Sequence, residues 1–394
     1  MKKASFLLLT IAWSIFSCGT AAQNVDKPMA FQHAEEQTRI MLKEIGKAKK
    51  TAPEEAVVPR TLTESGDLHL VKSKDWTSGF FPGTLWYIYE NTGDQYWLEQ
   101  AQKYTAKIEQ EKFDVGTHDT GFKIYCSFGN GYRITNKEEY KKVIVQTAKT
   151  LSKRYNPEVG AIRSWDHNTD KWDYPVIIDN MMNLELLFAA TRFSGDSTYY
   201  DIAVDHANTT LKNHFRKDYS SFHVIDYNPE TGEVENRNTH QGYSDESAWA
   251  RGQAWGLYGY VFSYRETHNK RYLAQAENIA DFILNHPKLP KDMVPYWDFD
   301  APDLENEPRD VSAAAIIASA LYELSTFSSG KKKYRQAADR ILSSLSTKYT
   351  SPKGDNKGFI LQNSTGHKPH NSEVDVPLNY ADYYYLEALH RRDI

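Results

Sequence analysis

The sequence predicts an all-α fold, an (α/α)6 barrel of six helical hairpins. Three observations predict it: a recurring turn signal, an alternation of two kinds of helical segment, and a matching alternation in the length of the links between them. The turn signal is present in "NTGDQYWLEQAQKY", "TNKEEYKKVIVQTAK", "FSGDSTYYDIAVDHA", "HNKRYLAQAENIADF" and "SSGKKKYRQAADRIL". In each, Gly or Asn ends one helical pattern, and a Tyr a few residues later stands at the start of the next.

Taken in order, periodic segments lie near residues 31–50, 79–91, 95–112, 120–134, 137–155, 180–193, 197–215, 247–267, 270–286, 311–327, 332–349 and 378–391, which makes twelve helices in six pairs. The segments 95–112, 137–155, 270–286 and 332–349 carry Lys, Glu and Gln on one face and read as an outer ring. Those at 79–91, 180–193, 247–260 and 311–322 are rich in Gly, Ala and bulky apolar residues and read as an inner ring. Links from an inner helix to the next outer one are short. Links into inner helices, 51–78, 156–178, 216–246, 287–310 and 350–377, are long. All inner N-termini therefore open on one face, and long loops on one face of a rigid scaffold are where function concentrates.

Residues 1–22 read as an export signal, because Lys2 and Lys3 precede an apolar run too short to span a bilayer. Ser17-Cys18 after Ile15 is lipobox-like, so Cys18 is expected to be acylated and to anchor an exported, periplasmic protein; ordinary cleavage near residues 20–22 is the alternative. That anchor is the expected membrane contact. Residues 23–394 show no linker or composition break and read as one catalytic domain. Cys126 is the other cysteine, so the mature chain has no pair for an internal disulfide. The net charge of −5 provides no basic field for nucleic acid.

The polar and aromatic peculiarities fall on the loop face. In "PVIIDNMMNLELL", Asp179 interrupts an apolar run where helical periodicity begins, as an N-cap or as a catalytic acid. Asp119 and Asp179 both open inner helices, two hairpin positions apart, so their side chains can converge on one cavity. Two nearby carboxylates do not both ionise cheaply, and one pKa rises. Ile177, Ile178, Met181 and Met182 would desolvate Asp179 and raise it further, whereas a helix N-terminus favours the anion, which leaves the direction open. Two structural caps remain the alternative to a catalytic pair. Arg251 reads either as a fork for a substrate carboxylate or as an ion-pair partner of Asp245 or Glu246. Trp76, Trp165, Trp255 and Trp297 read as sugar platforms or as core. Without a Gly-x-Ser-x-Gly elbow, a phosphate-cradling loop, or His-x-x-x-His or Cys-x-x-Cys spacing, acyl transfer, nucleotide binding and a zinc centre lack support.

Four stretches, "HDTGF", "IIDNMMNLELL", "HQGYSDESAWARGQAW" and "LNYADYYYLEAL", resemble the unsaturated glucuronyl hydrolases of glycoside hydrolase family 88, over nearly all of the mature chain. The resemblance implies an (α/α)6 barrel that needs no metal or organic cofactor. Its substrate would be an oligosaccharide with an unsaturated uronic acid at the non-reducing end, most naturally a lyase-generated glycosaminoglycan disaccharide. The reaction it implies is hydration of the C4=C5 bond with release of the uronate. By the same resemblance Asp179 is the general acid/base and Asp119 its partner. His223 in "SFHVIDYN", His240, Gln241, Arg251 and Trp255 bind the sugar and its carboxylate, and Trp76 and Trp165 stack. The loop "STGHK", Ser364 to Lys368, matches only in part the Ser and Lys pattern of members that accept sulfated sugars, so sulfate preference stays open. Three alternatives stand beside this reading: an unsaturated rhamnogalacturonyl hydrolase, an inverting glycosidase on the same scaffold, and a non-enzymatic glycan-binding lipoprotein.

Overall fold

The computed structural model describes residues 25–393, so the expected export signal and Cys18 lie outside the described residues. Helix α1, Lys27–Ala48, starts earlier than the periodicity predicts, because Asp26 caps it by accepting the Met29 N–H at 3.0 Å and a proline stands in its first turn. Inner and outer helices then alternate: α2 (Phe80–Thr92), α3 (Gln95–Ala106), α4 (Asn130–Thr135), α5 (Glu138–Leu151), α6 (Leu184–Ser194), α7 (Thr198–Asn213), α8 (Ala250–Thr267), α9 (Lys270–Asn285), α10 (Val311–Phe327), α11 (Lys331–Lys348) and α12 (Asn379–Arg391). The even-numbered helices, with the segments leading into them, pack side by side, and α12 returns to α2. The ring therefore closes as an (α/α)6 barrel inside the odd-numbered helices. Burial follows the two compositions: α10 is buried from Val311 through Ser325, whereas α9 and α11 bury one face each.

Four inner helices end on a residue with left-handed backbone, Gly93 (φ 67°), Asn136 (φ 54°), Gly195 (φ 76°) and His268 (φ 55°). The reversal there is tight enough that only two or three residues separate each inner helix from the next outer one. These are the turns the sequence marks.

Two inner segments depart from the predicted helices. The one expected over 120–134 begins as a π-helix, Gly121–Gly129, before α4, and the one expected over 180–193 begins as a 3₁₀ segment, Ile178–Asn183, before α6. They touch. Asn183 Oδ1 accepts the Phe122 N–H at 3.1 Å, and a Cβ on Gly121 would come within 2.6 Å of the same oxygen. Only glycine allows that approach. The outer helix expected over 95–112 stops at Ala106 and is followed by a 3₁₀ turn, Glu109–Phe113.

The long links carry strands that helical periodicity does not report. They form a hairpin of β1 (Ala56–Leu62) and β2 (Leu68–Lys72), and a short pair of β3 (Tyr155–Asn156) and β4 (Ala161–Ile162). A sheet in the order β5 (Pro175–Ile177), β6 (Val224–Tyr227), β7 (Val234–Asn238) and a hairpin of β8 (Ser364–His367) and β9 (Ser372–Val376) complete the set. All lie on the face where the inner helices begin.

Candidate active site

Strand pairing sets the centre of the site. Ile177 of β5 stands opposite Val224 of β6, and the Ile178 N–H donates to the His223 carbonyl at 3.1 Å, so Asp179 on the adjoining 3₁₀ turn comes to rest beside the His223 ring. His223 Nε2 is 3.7 Å from Asp179 Oδ2. On the other side of β6, Val224 pairs with Asn238 of β7, and the chain returns so that the His240 and Gln241 N–H groups both donate to His223 Nδ1, at 3.0 and 3.1 Å. An Nδ1 that accepts two hydrogen bonds carries no proton. The ring proton is therefore on Nε2, on the side of Asp179. Burial, with the nearby His240, Arg251 and His367, holds His223 well below the ordinary imidazole value, in its neutral form.

Asp179 is not an N-cap. Ile177 precedes its 3₁₀ turn, Asn183 precedes α6, and Asp179 itself is only 9% exposed, with Oδ2 lacking a hydrogen-bond partner. Burial raises its carboxyl; Arg251 opposes this, Asp119 adds to it, and its own backbone N–H and the Trp255 indole favour the anion more weakly. The result is a carboxyl pushed up to about 7. The direction left open by the sequence is therefore upward, because desolvation outweighs the donors.

Asp119 is nearer than predicted. It precedes the π-helix, on the inner segment next to that of Asp179 rather than two hairpin positions away, since each hairpin contributes one inner and one outer helix. Thr117 Oγ1 donates to its Oδ2 at 2.7 Å, and His118 Nε2 stands 3.1 Å from Oδ1.

Arg251, at the start of α8, pairs with neither Asp245 nor Glu246. Its Nη1 donates to Asp310 Oδ2 at 2.8 Å, because Asp310 caps the neighbouring inner helix α10 and lies fully buried beside it. Nη1 also donates to the Thr365 carbonyl, and Nη2 to the Gly366 carbonyl. Three of the five N–H groups are thus engaged. Nε–H, buried without a partner, and one Nη2–H remain uncommitted among the protein's own acceptors.

A cavity of about 290 Å³ joins these groups at the mouth of the barrel. Asp119, Asp179, Trp76, Trp165, His240, Gln241 and Arg251 line it. His223 and Trp255 are buried behind its wall, and Ser364 and Lys368 do not line it: Ser364 is covered in the β8–β9 ladder, and Lys368 opens the turn after β8. Trp297 is core, its indole N–H donating to Glu307. The chain also brings up groups that the sequence reading missed. Arg60 of β1 lines the cavity while it forks onto Glu373 of β9 at 2.6 and 2.7 Å and reaches Asp75 at 2.8 Å. His367 and His370 stack at 4.0 Å, with the His240 ring edge-on to both at 4.9 and 5.4 Å. Burial and the neighbouring imidazoles push His240 down to about 4 and His367 to about 3, so near neutral pH both are uncharged and can donate to or accept from hydroxyl groups. "HKPH" marks two of these histidines in sequence; nothing local marks Arg60. Among the described residues, no group of His, Cys, Asp and Glu is arranged to hold a metal ion.

The site thus combines one carboxyl protonated near neutral pH, a second acidic side chain, a neutral N–H donor behind the first, a guanidinium with two uncommitted N–H groups and two indoles. That set can deliver a proton to a bound, anionic sugar. Above about pH 7 the acid form of Asp179 disappears, and kcat/KM should fall by about tenfold per pH unit. A profile flat to roughly pH 9 would exclude Asp179 as the proton donor.

The chain is similar to known proteins over most of its length. The profile of Glycosyl Hydrolase Family 88 matches residues 53–392. An unsaturated glucuronyl hydrolase of Formosa agariphila is 54% identical over 337 residues, 85% of this chain and 84% of that protein. An unsaturated chondroitin disaccharide hydrolase of Streptococcus pneumoniae is 34% identical, over 82% and 83% of the two chains. Among solved structures, an unsaturated glucuronyl hydrolase specific for heparin superposes with a TM-score of 0.86 at 48% identity, over 92% of this chain and 97% of that one.

Proposed function

The chain belongs to Glycosyl Hydrolase Family 88, and from that premise we propose that its cavity takes the unsaturated uronic acid at the non-reducing end of lyase-generated oligosaccharides and hydrates the C4=C5 bond. The observation that carries the reading is the Asp179 carboxyl, buried and held protonated near neutral pH in the same cavity as the Arg251 guanidinium. Relatives that act on glycosaminoglycan-derived sugars support a disaccharide of that class as the substrate.

Arg251 receives the uronate carboxylate, Trp76 and Trp165 flank the ring, and His240 and Gln241 meet its hydroxyl groups. Asp119 lies close enough to raise the Asp179 carboxyl, which favours the proton there until it is delivered. C4 of the enol ether takes that proton, and the ring oxygen stabilises the cation left at C5. Asp179, now a carboxylate, removes a proton from a water that adds to C5, while the His223 Nε2–H, 3.7 Å away, steadies the anion. The hemiketal then opens: the C5–O5 bond breaks, C5 becomes a ketone, and C1, now a hemiacetal, expels the aglycone. One water is consumed.

The test is a panel of lyase-generated disaccharides, followed by loss of the alkene's ultraviolet absorbance. Turnover is expected on unsaturated glucuronyl disaccharides, and inertness toward all of them would overturn the reading. Outside the described residues, Cys18 is proposed to carry a lipid anchor on an exported, periplasmic protein. Cys18→Ser should leave specific activity unchanged and move the protein out of the membrane fraction; unchanged membrane association would count against the anchor.

A further inference from the structure

A second chamber, of about 740 Å³, opens at the other end of the barrel among the C-terminal halves of the inner helices. Packed cores do not keep voids of this size, and the volume lies within the roughly 300–1,000 Å³ of small-molecule sites.

Its chemistry is specific. Tyr125, Tyr132, Phe193 and Phe327 supply aromatic walls, and four arginines stand among four glutamates. The charges are already matched: Arg265 donates to Glu185, Glu266 and Glu323, and Arg391 lies 3.0 Å from Glu323. An anion would gain nothing there without displacing a carboxylate. A neutral ring with hydroxyl groups fits both features, its C–H face against the aromatic rings and its hydroxyls on the polar heads. The wall between the two chambers is itself unusual. It is the π-helix Gly121–Gly129, nine residues long, whose Phe122 lines both cavities. Segments of π-helix are rare and gather at functional sites.

We propose that the rear chamber is a second ligand site, separate from the catalytic cavity, and that it takes a neutral sugar ring. Glucose and N-acetylglucosamine are the probes, read by calorimetry and by soaking crystals of the full chain. Thr326 lines the chamber near the end of α10 and takes no part in the catalytic cavity, so Thr326→Trp fills the chamber from its rim. Binding is expected to weaken at least tenfold in Thr326→Trp, and several-fold in Arg192→Ala, which keeps the chamber open but removes a polar head. It should be unchanged in Trp165→Ala, which alters only the catalytic cavity. Sugar density should lie against Phe193 and Tyr132. Absence of binding by the wild-type chain, binding that survives Thr326→Trp, or binding lost in Trp165→Ala would each overturn the proposal. Calorimetry and density need no turnover, so this outcome is independent of the reaction assigned above.

Discussion

Asp179→Asn is expected to keep the fold and to bind the unsaturated disaccharide while losing turnover by roughly three to four orders of magnitude. The amide can neither give a proton to C4 nor take one from the water that adds to C5, so both halves of the reaction lose their agent. Binding survives because the guanidinium of Arg251 is held by Asp310, Thr365 and Gly366, none of which touches residue 179. The same substitution should leave a mark on stability that a merely structural residue would not. Asp179 is raised from 3.8 to about 7 in the folded chain, so its contribution is fully present below about pH 4 and is lost as pH rises through 7. At about 1.4 kcal/mol per pH unit, the loss is on the order of 4 kcal/mol at about pH 8. An asparagine has no such titration. The melting temperature of Asp179→Asn should therefore rise relative to wild type between about pH 4 and pH 8. Turnover near the wild-type rate, or a melting difference that ignores pH, would remove Asp179 from the centre of the mechanism.

What could be read ahead of the structure divides along physical lines. Gly93, Asn136, Gly195 and His268 sit where the backbone turns left-handed, a local demand that composition reveals, and so the hairpins and the barrel were legible. Asp119 and Asp179 were legible for a related reason: each stands at the entry to an inner helix, and Asp179 interrupts an apolar run there. The π-helix was not, because Gly121 is selected by a contact with Asn183, which periodicity does not contain. Arg251 was found, and of its two readings the ion pair named the wrong carboxylates. Asp245 and Glu246 are near in sequence, whereas Asp310 is brought beside it by the packing of α8 on α10. The histidines show the limit most plainly. His240 lies far in sequence from His367 and His370, and only the β6–β7 return and the β8–β9 hairpin stack them at one cavity. Ser364 and Lys368 erred in the opposite sense, since a loop motif places residues near a site without deciding which side chains line it.

The isotope pattern separates hydration from displacement at the anomeric carbon. In heavy-oxygen water the label should appear first at C5, with the aglycone keeping its bridging oxygen; in heavy water one deuterium should be found at C4, since the Asp179 proton exchanges with solvent before delivery. An inverting glycosidase built from the same two carboxylates would put the oxygen label at C1 and none of the deuterium at C4. It would also cleave saturated glucuronides, whose anomeric centre is equally available. The two carboxyl groups alone do not decide between the routes. Displacement needs a base that is ionised while the acid is protonated, with a water held between base and anomeric carbon. Here the buried Asp179 changes state between the two steps, and the one ring N–H beside it, that of His223, is neutral and placed to receive it as an anion. Saturated glucuronides are therefore expected to show no measurable cleavage. Comparable rates on the two substrates, or product without deuterium at C4, would mean that Asp179 protonates a glycosidic oxygen and that its apolar setting serves a different reaction.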